Sequence, residues 1–335
     1  MDYRNDAPPI LRDFLAYHET IRGHSQNTVD EYCLDLRTFF RFLKLHRGLV
    51  PRATELEEID VRDVDLDFVG RVTLSEVYEY LSFLARDRVR NQHARSAEYG
   101  LSAASRARKI ASIRSFYKYL TVKAKLLTEN PVQDLDSPKI PKTLPRYLTL
   151  AESEQLLRAV DGRNRERDYC ILCIFLNCGL RISEIVGLNL TDVRADHLRV
   201  RGKGNKERIV YLNDAVAEAI NDYLRVRSGI EAADKGALFL SSRKTRLTRE
   251  AVHAMVKKSL LRAGLDAEKY SAHKLRHTAA TLMLQNGVDV RTLQELLGHE
   301  NLNTTQIYTH VDSGELKTAA RANPLGKFKK VNSDE

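Results

Sequence analysis

The chain has no apolar stretch long enough to cross a membrane. Its longest run, YCILCIFL at 169–176, is far short of the roughly 20 residues a span requires. The opening residues MDYRNDAPP are polar and acidic, with none of the basic-then-apolar pattern of a secretory leader, so a cytoplasmic protein is expected. Cysteine is scarce. Of the four, Cys170, Cys173 and Cys178 share one apolar helical stretch. A C-x-x-C pair needs a second ligand pair to make a structural zinc site, and none follows at the usual spacing, so these thiols read as core filling. No internal repeat, coiled coil or low-complexity tract interrupts the chain.

At 335 residues, two domains are expected. A hydrophobic content of 43% is ample for ordinary cores, and the net charge of +9 favours a polyanionic partner. The stretch 8–46 reads as two helices; in TVDEYCLDLRTFFRFL the apolar Val29, Cys33, Leu36, Phe39, Phe40 and Leu43 recur at helical spacing, with Ser25 or Asn27 as the cap. TELEEIDVRDVDLDF at 54–68 carries seven acidic residues and one basic residue, and an irregular, solvated excursion is expected there. Helical spacing resumes over 74–89.

The charge then reverses, with eleven Lys or Arg against two acidic residues over 86–125. In LSAASRARKIASIRSFYKYL, 101–120, Leu101, Ile110, Ile113, Phe116, Tyr117 and Leu120 can face a core, while Arg106, Arg108, Lys109 and Arg114 project elsewhere. Small residues between those cations (Ser105, Ala107, Ala111, Ser112) would let the helix approach a phosphate backbone or a major groove, although a basic face is often merely solvated. Four prolines between 131 and 145 mark a stiff connector. The expected division is residues 1–134, a linker at 135–147, and a second domain over 148–335. The second domain reads as mostly helical with one small sheet, since DHLRVRGKGNKERIVYL, 196–212, is two β-like runs around a glycine-rich turn. Thr149 with Glu152 form a capping-box pattern. Asn213, Thr248, Asp289 and Asn303 are expected N-caps, and Gly264, Gly287 and Gly298 helix stops.

Chemistry concentrates in four places: Arg181 in CGLRISEI, Lys203 or Lys206 in GKGNKER, His273 with Arg276 in HKLRH, and His299 with Tyr308 in LLGHENLNTTQIYTH. Singly these are weak signals. The GKGNKE turn lacks both the third glycine of a dinucleotide loop and the GK[ST] ending of a P-loop. Taken together, they suit attack on a phosphodiester. Arginines stabilise charge growing on the non-bridging oxygens, a tyrosine can serve as nucleophile, and a lysine can protonate the leaving 5′-oxygen. A rival reading takes His273 and His277, at i and i+4, as zinc ligands. In that motif a glutamate base follows the first histidine, whereas here Lys274 does, and it would repel the cation.

The order GLRISEI, GKGNKER, H-x-x-R, LLGH and a tyrosine nine residues on resembles the tyrosine recombinases of the phage integrase family, in wording nearest the bacterial XerC/XerD group. The resemblance spans nearly the whole chain. It implies a mainly α architecture: an N-terminal helical, SAM-like core-binding domain that binds DNA, then a mostly helical catalytic domain with a small antiparallel β-sheet. By the same resemblance Arg181, Arg276 and His273 hold the scissile phosphate, His299 supports the pentacoordinate state, Tyr308 attacks, and Lys203 is the general acid, with Lys206 the weaker candidate. Glu184 would orient Arg181. It implies no cofactor, metal or ATP, a 3′-phosphotyrosyl intermediate, and four protomers on paired sites in duplex DNA, as a homotetramer or with a second recombinase. Chromosome-dimer resolution and mobile-element integration or excision remain open. A DNA-binding protein with an inactive site and a relaxing topoisomerase are the alternatives. The acidic 54–68 stretch and the basic segment near 88–100 lengthen the first domain beyond the family's compact form. The tail after Tyr308 is expected to form a short helix bearing Leu316, Ala319 and Ala320 that packs either on its own domain or, the favoured reading, on a neighbouring protomer.

Overall fold

The structure is a computed structural model that describes residues 6–91, 98–139, 146–202, 206–298 and 318–328. The chain divides into two compact units, Met1–Thr143 and Leu144–Glu335.

In the first unit, α1 (Pro9–Ala16) runs on into a π-helical turn, and α2 (Gln26–His46) follows. A short α3 (Leu66–Gly70) and α4 (Leu74–Arg86) come next. A two-stranded ribbon (β1, Val89–Asn91; β2, Glu98–Tyr99) then leads to α5 (Ala103–Lys118). The apolar faces expected of α2 and α5 are both buried, in one cluster with Tyr80 and Leu84 of α4. Ser25 occupies the N-cap of α2 without a side-chain capping bond, whereas Thr73 and Glu76 form a reciprocal capping box at α4.

Two expectations for this unit are corrected. The 54–68 stretch is packed rather than a solvated excursion: Ile59, Val61 and Val64 are buried. Charge-assisted bonds hold it to α2, with Lys44 Nζ donating to Asp63 at 2.7 Å and Arg41 Nε donating to the Ile59 carbonyl at 2.9 Å. Acidic residues alternate with β-branched ones, so one side packs inward while the other meets water. The second correction concerns Lys109, which does not project with the other cations of α5. It is buried, and its ammonium donates to Asp35 at 2.9 Å. Asp35 also accepts from Arg108 Nη1 at 2.7 Å and Ser112 Oγ at 2.8 Å, so this one carboxylate pins α5 to α2.

The second unit is built on α7 (Arg165–Cys178), buried from Tyr169 to Cys178. Around it lie α6 (Leu150–Arg158), α8 (Ile182–Gly187), α9 (Asp214–Ser228), α10 (Arg249–Arg262), α11 (Ala272–Gln285) and α12 (Val290–Leu297). The hairpin β3 (His197–Arg201) and β4 (Glu207–Tyr211) is antiparallel, with His197 opposite Tyr211 and Arg201 opposite Glu207. The capping box at Thr149 and Glu152 and the caps at Asn213, Thr248 and Asp289 are formed; Asn303 lies outside the described residues. Gly264, Gly287 and Gly298 all have positive φ. The three cysteines of α7 are free and buried, and burial pushes the Cys178 thiol up to about 12.

Of the two surfaces expected for the tail, the single chain shows its own domain. Residues 318–328 pack on their own unit: Ala319 and Ala320 are buried, and Leu325 joins the α7 core. Asn323 Nδ2 donates at 2.9 Å to the carbonyl of Leu176, which lies in the last turn of α7. Carbonyls there have no partner within the helix, so this bond gives the tail a specific seat on its own domain. Leu316 lies outside the described residues. Among the described residues no helix is long and apolar enough to cross a membrane.

Candidate active site

The site begins where α7 ends. Gly179 is left-handed at φ 59°, which terminates the helix and turns the chain through Leu180 to Arg181, the N-cap of α8. A side chain at Gly179 would bring Cβ to 2.6 Å from Leu297 Cδ2, so glycine also permits the end of α12 to approach. Arg181 is closed onto Glu184. Its backbone N–H donates to Glu184 Oε2 at 2.7 Å and its Nη1 to Oε1 at 2.9 Å. Nη2 donates to the Gly298 carbonyl at 3.1 Å.

Arg276 lies in the second turn of α11. Its Nη1 donates to the Gly179 carbonyl at 2.5 Å and its Nη2 to the Leu297 carbonyl at 2.7 Å. The C-terminal ends of α7 and α12 thus converge on one guanidinium, and the negative ends of both helix dipoles favour its charge. Burial, followed by the nearby Arg181, lowers Arg276 to about 10, which still leaves it charged at neutral pH. The exposures of the two arginines differ: 5% for the side chain of Arg276 against 39% for that of Arg181.

Glu184 is the centre of this group, with its side chain 2% exposed. It accepts from Arg208 Nη1 at 2.8 Å and Nη2 at 3.0 Å, while Arg276 Nη1 stands 3.9 Å away. Burial alone would raise its carboxyl. The bonds from Arg208 and Arg181 outweigh that and hold it below its ordinary value, so it is an anion among three cations.

His273 sits one turn before Arg276 on α11. Its Nε2 is 3.1 Å from Nε2 of His277, with the rings edge to face. Partial enclosure, then the charges of Arg276, Lys274 and Arg181, hold His273 below the ordinary histidine value, so the neutral ring predominates at pH 7. Among the described residues no group of three His, Cys, Asp or Glu side chains could hold a metal ion, so the His273–His277 pair has no third ligand there.

The structure therefore brings Arg181, Arg276 and Glu184 together and places His273 on the helix that supplies Arg276. Lys203, His299 and Tyr308 lie outside the described residues. The residue before Lys203, Gly202, donates its N–H to the Lys206 carbonyl at 2.8 Å, and a Cβ on Gly202 would lie 3.7 Å from Glu184 Oε1. The residue before His299 is Gly298, whose carbonyl takes Arg181. Lys206 is exposed. In the first unit, Arg106 is partly exposed, Arg108 pairs with Glu31 as well as Asp35, and Arg114 donates to Ser137 Oγ at 3.0 Å.

Sequence reasoning missed Arg208. It ends the GKGNKER motif, where attention falls on glycines and lysines. The available signal is strand alternation, which puts Arg208 on the same inward face of β4 as the buried Val210.

Comparison with known proteins agrees along the chain. Residues 146–315 match the model of the phage integrase family, and residues 64–124 match the N-terminal SAM-like domain of phage integrases. A protein named tyrosine recombinase XerC from Caldanaerobacter subterraneus subsp. tengcongensis is 52% identical over 321 residues, spanning 96% of this chain and 88% of that protein. Tyrosine recombinase XerD of Proteus mirabilis is 35% identical over 322 residues, spanning 94% and 92%. Among solved structures, the XerH site-specific recombinase bound to its difH substrate, in a pre-cleavage complex, superposes with a TM-score of 0.59. At 24% identity, with 92% of this chain and 84% of that one covered, this likeness speaks for the fold.

Proposed function

The chain belongs to the phage integrase family of site-specific tyrosine recombinases, near the XerC and XerD group, and we propose that it cuts and rejoins duplex DNA through a covalent link between Tyr308 and a 3′-phosphate. The Tyr308 oxygen attacks phosphorus as the bond to the 5′-oxygen breaks, and Lys203 delivers the proton that the departing oxygen needs; Lys206 is the alternative donor in the same turn. A 5′-hydroxyl from a partner strand then reverses the step. The ester bond is kept in the protein–DNA link, so the step needs no ATP, and the arginines rather than a metal ion take the charge that grows on the phosphate.

The observation that carries this reading is the arginine cluster. A guanidinium has five N–H donors. Arg181 and Arg276 are each fixed by two side-chain bonds to the protein. Donors held in place before the reaction stabilise the phosphorane without having to reorganise, and removing one such donor typically costs about 10²–10³-fold in rate. His273 and His299 complete the cradle. Arg106, Arg108 and Arg114 of α5, with Lys206, contact the DNA backbone, while Lys109 acts through its anchor on Asp35. The working form is a tetramer on two paired sites, of this chain alone or with a second recombinase, and it acts in the cytoplasm. Its biological roles are chromosome-dimer resolution or mobile-element integration and excision.

The test uses a site selected from random duplex DNA by covalent capture, nicked so that the cut end is lost. Wild-type protein should accumulate on this substrate as a covalent adduct. Tyr308→Phe removes one oxygen, so it should bind with unchanged affinity and give no adduct. An adduct that persists in Tyr308→Phe would remove Tyr308 from the mechanism.

A further inference from the structure

We infer that Arg208 is a positioning residue for the arginine cluster: it occupies the buried Glu184 carboxylate, and this keeps Arg181 and Arg276 directed at the phosphate. The inference rests on the recombinase reading above and adds a residue to it.

The geometry supports this in three ways. First, Arg208 binds Glu184 in a two-pronged fashion, at 2.8 and 3.0 Å, which is the strongest form of carboxylate contact. Second, Glu184 has a competing cation close by. Arg276 Nη1 is 3.9 Å from Glu184 Oε2, and Arg276 spends its two bonds on helix-end carbonyls instead. Without Arg208, a carboxylate that is 2% exposed would draw in Arg276 and tighten on Arg181 to recover its lost partner. Both arginines would then be neutralised in the resting site, and the phosphate would have to displace Glu184. Third, Arg208 packs beneath the turn that leads to His299. A Cβ on Gly298 would meet Arg208 Cζ and Nε at 3.1 Å, and Arg208 Nε donates to the Leu296 carbonyl at 3.4 Å. One side chain on β4 therefore touches the carboxylate partner of Arg181 and the end of α12. Lysine would replace it only in part, because an ammonium lacks the planar fork.

The experiment measures single-turnover cleavage of pre-bound suicide DNA by wild type, Arg208→Gln and Arg208→Lys. The natural phosphodiester is compared with a methylphosphonate at the scissile position. The methylphosphonate has one non-bridging oxygen replaced by methyl, so less negative charge needs arginine. On the phosphodiester, Arg208→Gln should cleave about 10²-fold more slowly with little change in DNA affinity, and Arg208→Lys should be only partly rescued. On the methylphosphonate the Arg208→Gln deficit should shrink below about tenfold. A merely structural arginine would give the same deficit on both substrates, and that result, or wild-type cleavage by Arg208→Gln, overturns the inference. If Arg208→Gln fails to fold, Arg208→Lys, which keeps a cation beside Glu184, carries the same comparison: its deficit should be larger on the phosphodiester than on the methylphosphonate. A folded Arg208→Lys with the same deficit on both substrates, or with none on the phosphodiester, overturns the inference as well. Tyr308→Phe run alongside separates the two levels. If it still forms adduct, the recombinase chemistry is misassigned; if it does not, a negative Arg208 result falls on Arg208 alone.

Discussion

Each unit buries a carboxylate among several cations, Asp35 in the first and Glu184 in the second, and the two do different work. Asp35, fully buried on α2, takes Arg108, Lys109 and Ser112, all from the single helix α5. Glu184, on α8, takes Arg181 from its own N-cap and Arg208 from β4, with Arg276 of α11 just beyond contact. A carboxylate whose donors share one helix fastens that helix and fixes its rotation. One whose donors arrive from several elements sets the distances between those elements, which is what a site assembled from remote stretches of chain requires. The outlets of charge differ too. Arg108, half-exposed, shares its charge with Glu31, whereas Arg276 is closed in by two helix ends and still carries its charge. The Asp35 cluster is an anchor, and the Glu184 cluster is a charge assembly.

The largest effect that would break this contrast comes from Asp35→Ala. It leaves the Lys109 ammonium buried without its partner, and losing one member of a buried pair costs about 3–5 kcal/mol. Chemical denaturation should show that loss. Cleavage of DNA that is already bound should stay near the wild-type rate, since an anchor in the first unit does not touch the phosphate. A large fall in the bound-state rate with little loss of stability would mean that Asp35 belongs to the chemistry and that the distinction between the two carboxylates is wrong.

Gly298→Ala should have a middling effect, and it sharpens the comparison from the other side. Gly298 has a φ of +66°, where a side chain costs about 1–2 kcal/mol, and its new Cβ would press on Arg208 at 3.1 Å. Its carbonyl also holds Arg181. The melting temperature should fall by a few degrees, and cleavage should fall further than that stability loss explains. If the variant cleaves at the wild-type rate, the end of α12 does not position the arginines.

What was legible in the sequence follows the range of each interaction. The capping box at Thr149 and Glu152 spans three residues, and the hairpin over 196–212 is a local alternation, so both could be seen in short windows. So could the left-handed turn at Gly298. Lys109 could not, because its partner lies 74 positions earlier, and a count of charges along one helix cannot show a carboxylate arriving from another. The 54–68 stretch was hidden by its own acidity, since seven carboxylates masked the spacing of Ile59, Val61 and Val64. In the candidate site, motif order brought forward Arg181, His273 and Arg276, the residues with obvious chemistry. Arg208 was passed over because its importance lies in a contact 24 positions away. The cis seat of the tail depends on one asparagine meeting a carbonyl 147 residues earlier, beyond any local pattern.

The smallest expected effect concerns the histidines, where the two units again invite comparison. His273 is held below its ordinary value chiefly by enclosure, then by arginines and a lysine. His18 of the first unit is lowered further, to about 4, by burial first and then by the charges of His24 and Arg22. Its ring packs edge-on against Phe14, Tyr17 and Tyr32, its Nδ1 is 3.2 Å from His24 Nδ1, and its Nε2 is 3.2 Å from Ser115 Oγ. In the unfolded chain His18 takes a proton near pH 6.5, whereas in the folded chain it resists until about pH 4. Between those values the unfolded state binds more protons, so stability rises with pH through that window. The contribution is complete above pH 6.5 and is lost as pH falls toward 4. Melting at pH 7.5 and at pH 5 should therefore show a drop at the lower value, and His18→Phe, which keeps a ring among the aromatics but cannot titrate, should reduce that drop. An unchanged pH dependence in His18→Phe would show that His18 does not carry the acid sensitivity, and would shift the search for the acid-sensitive group to His273.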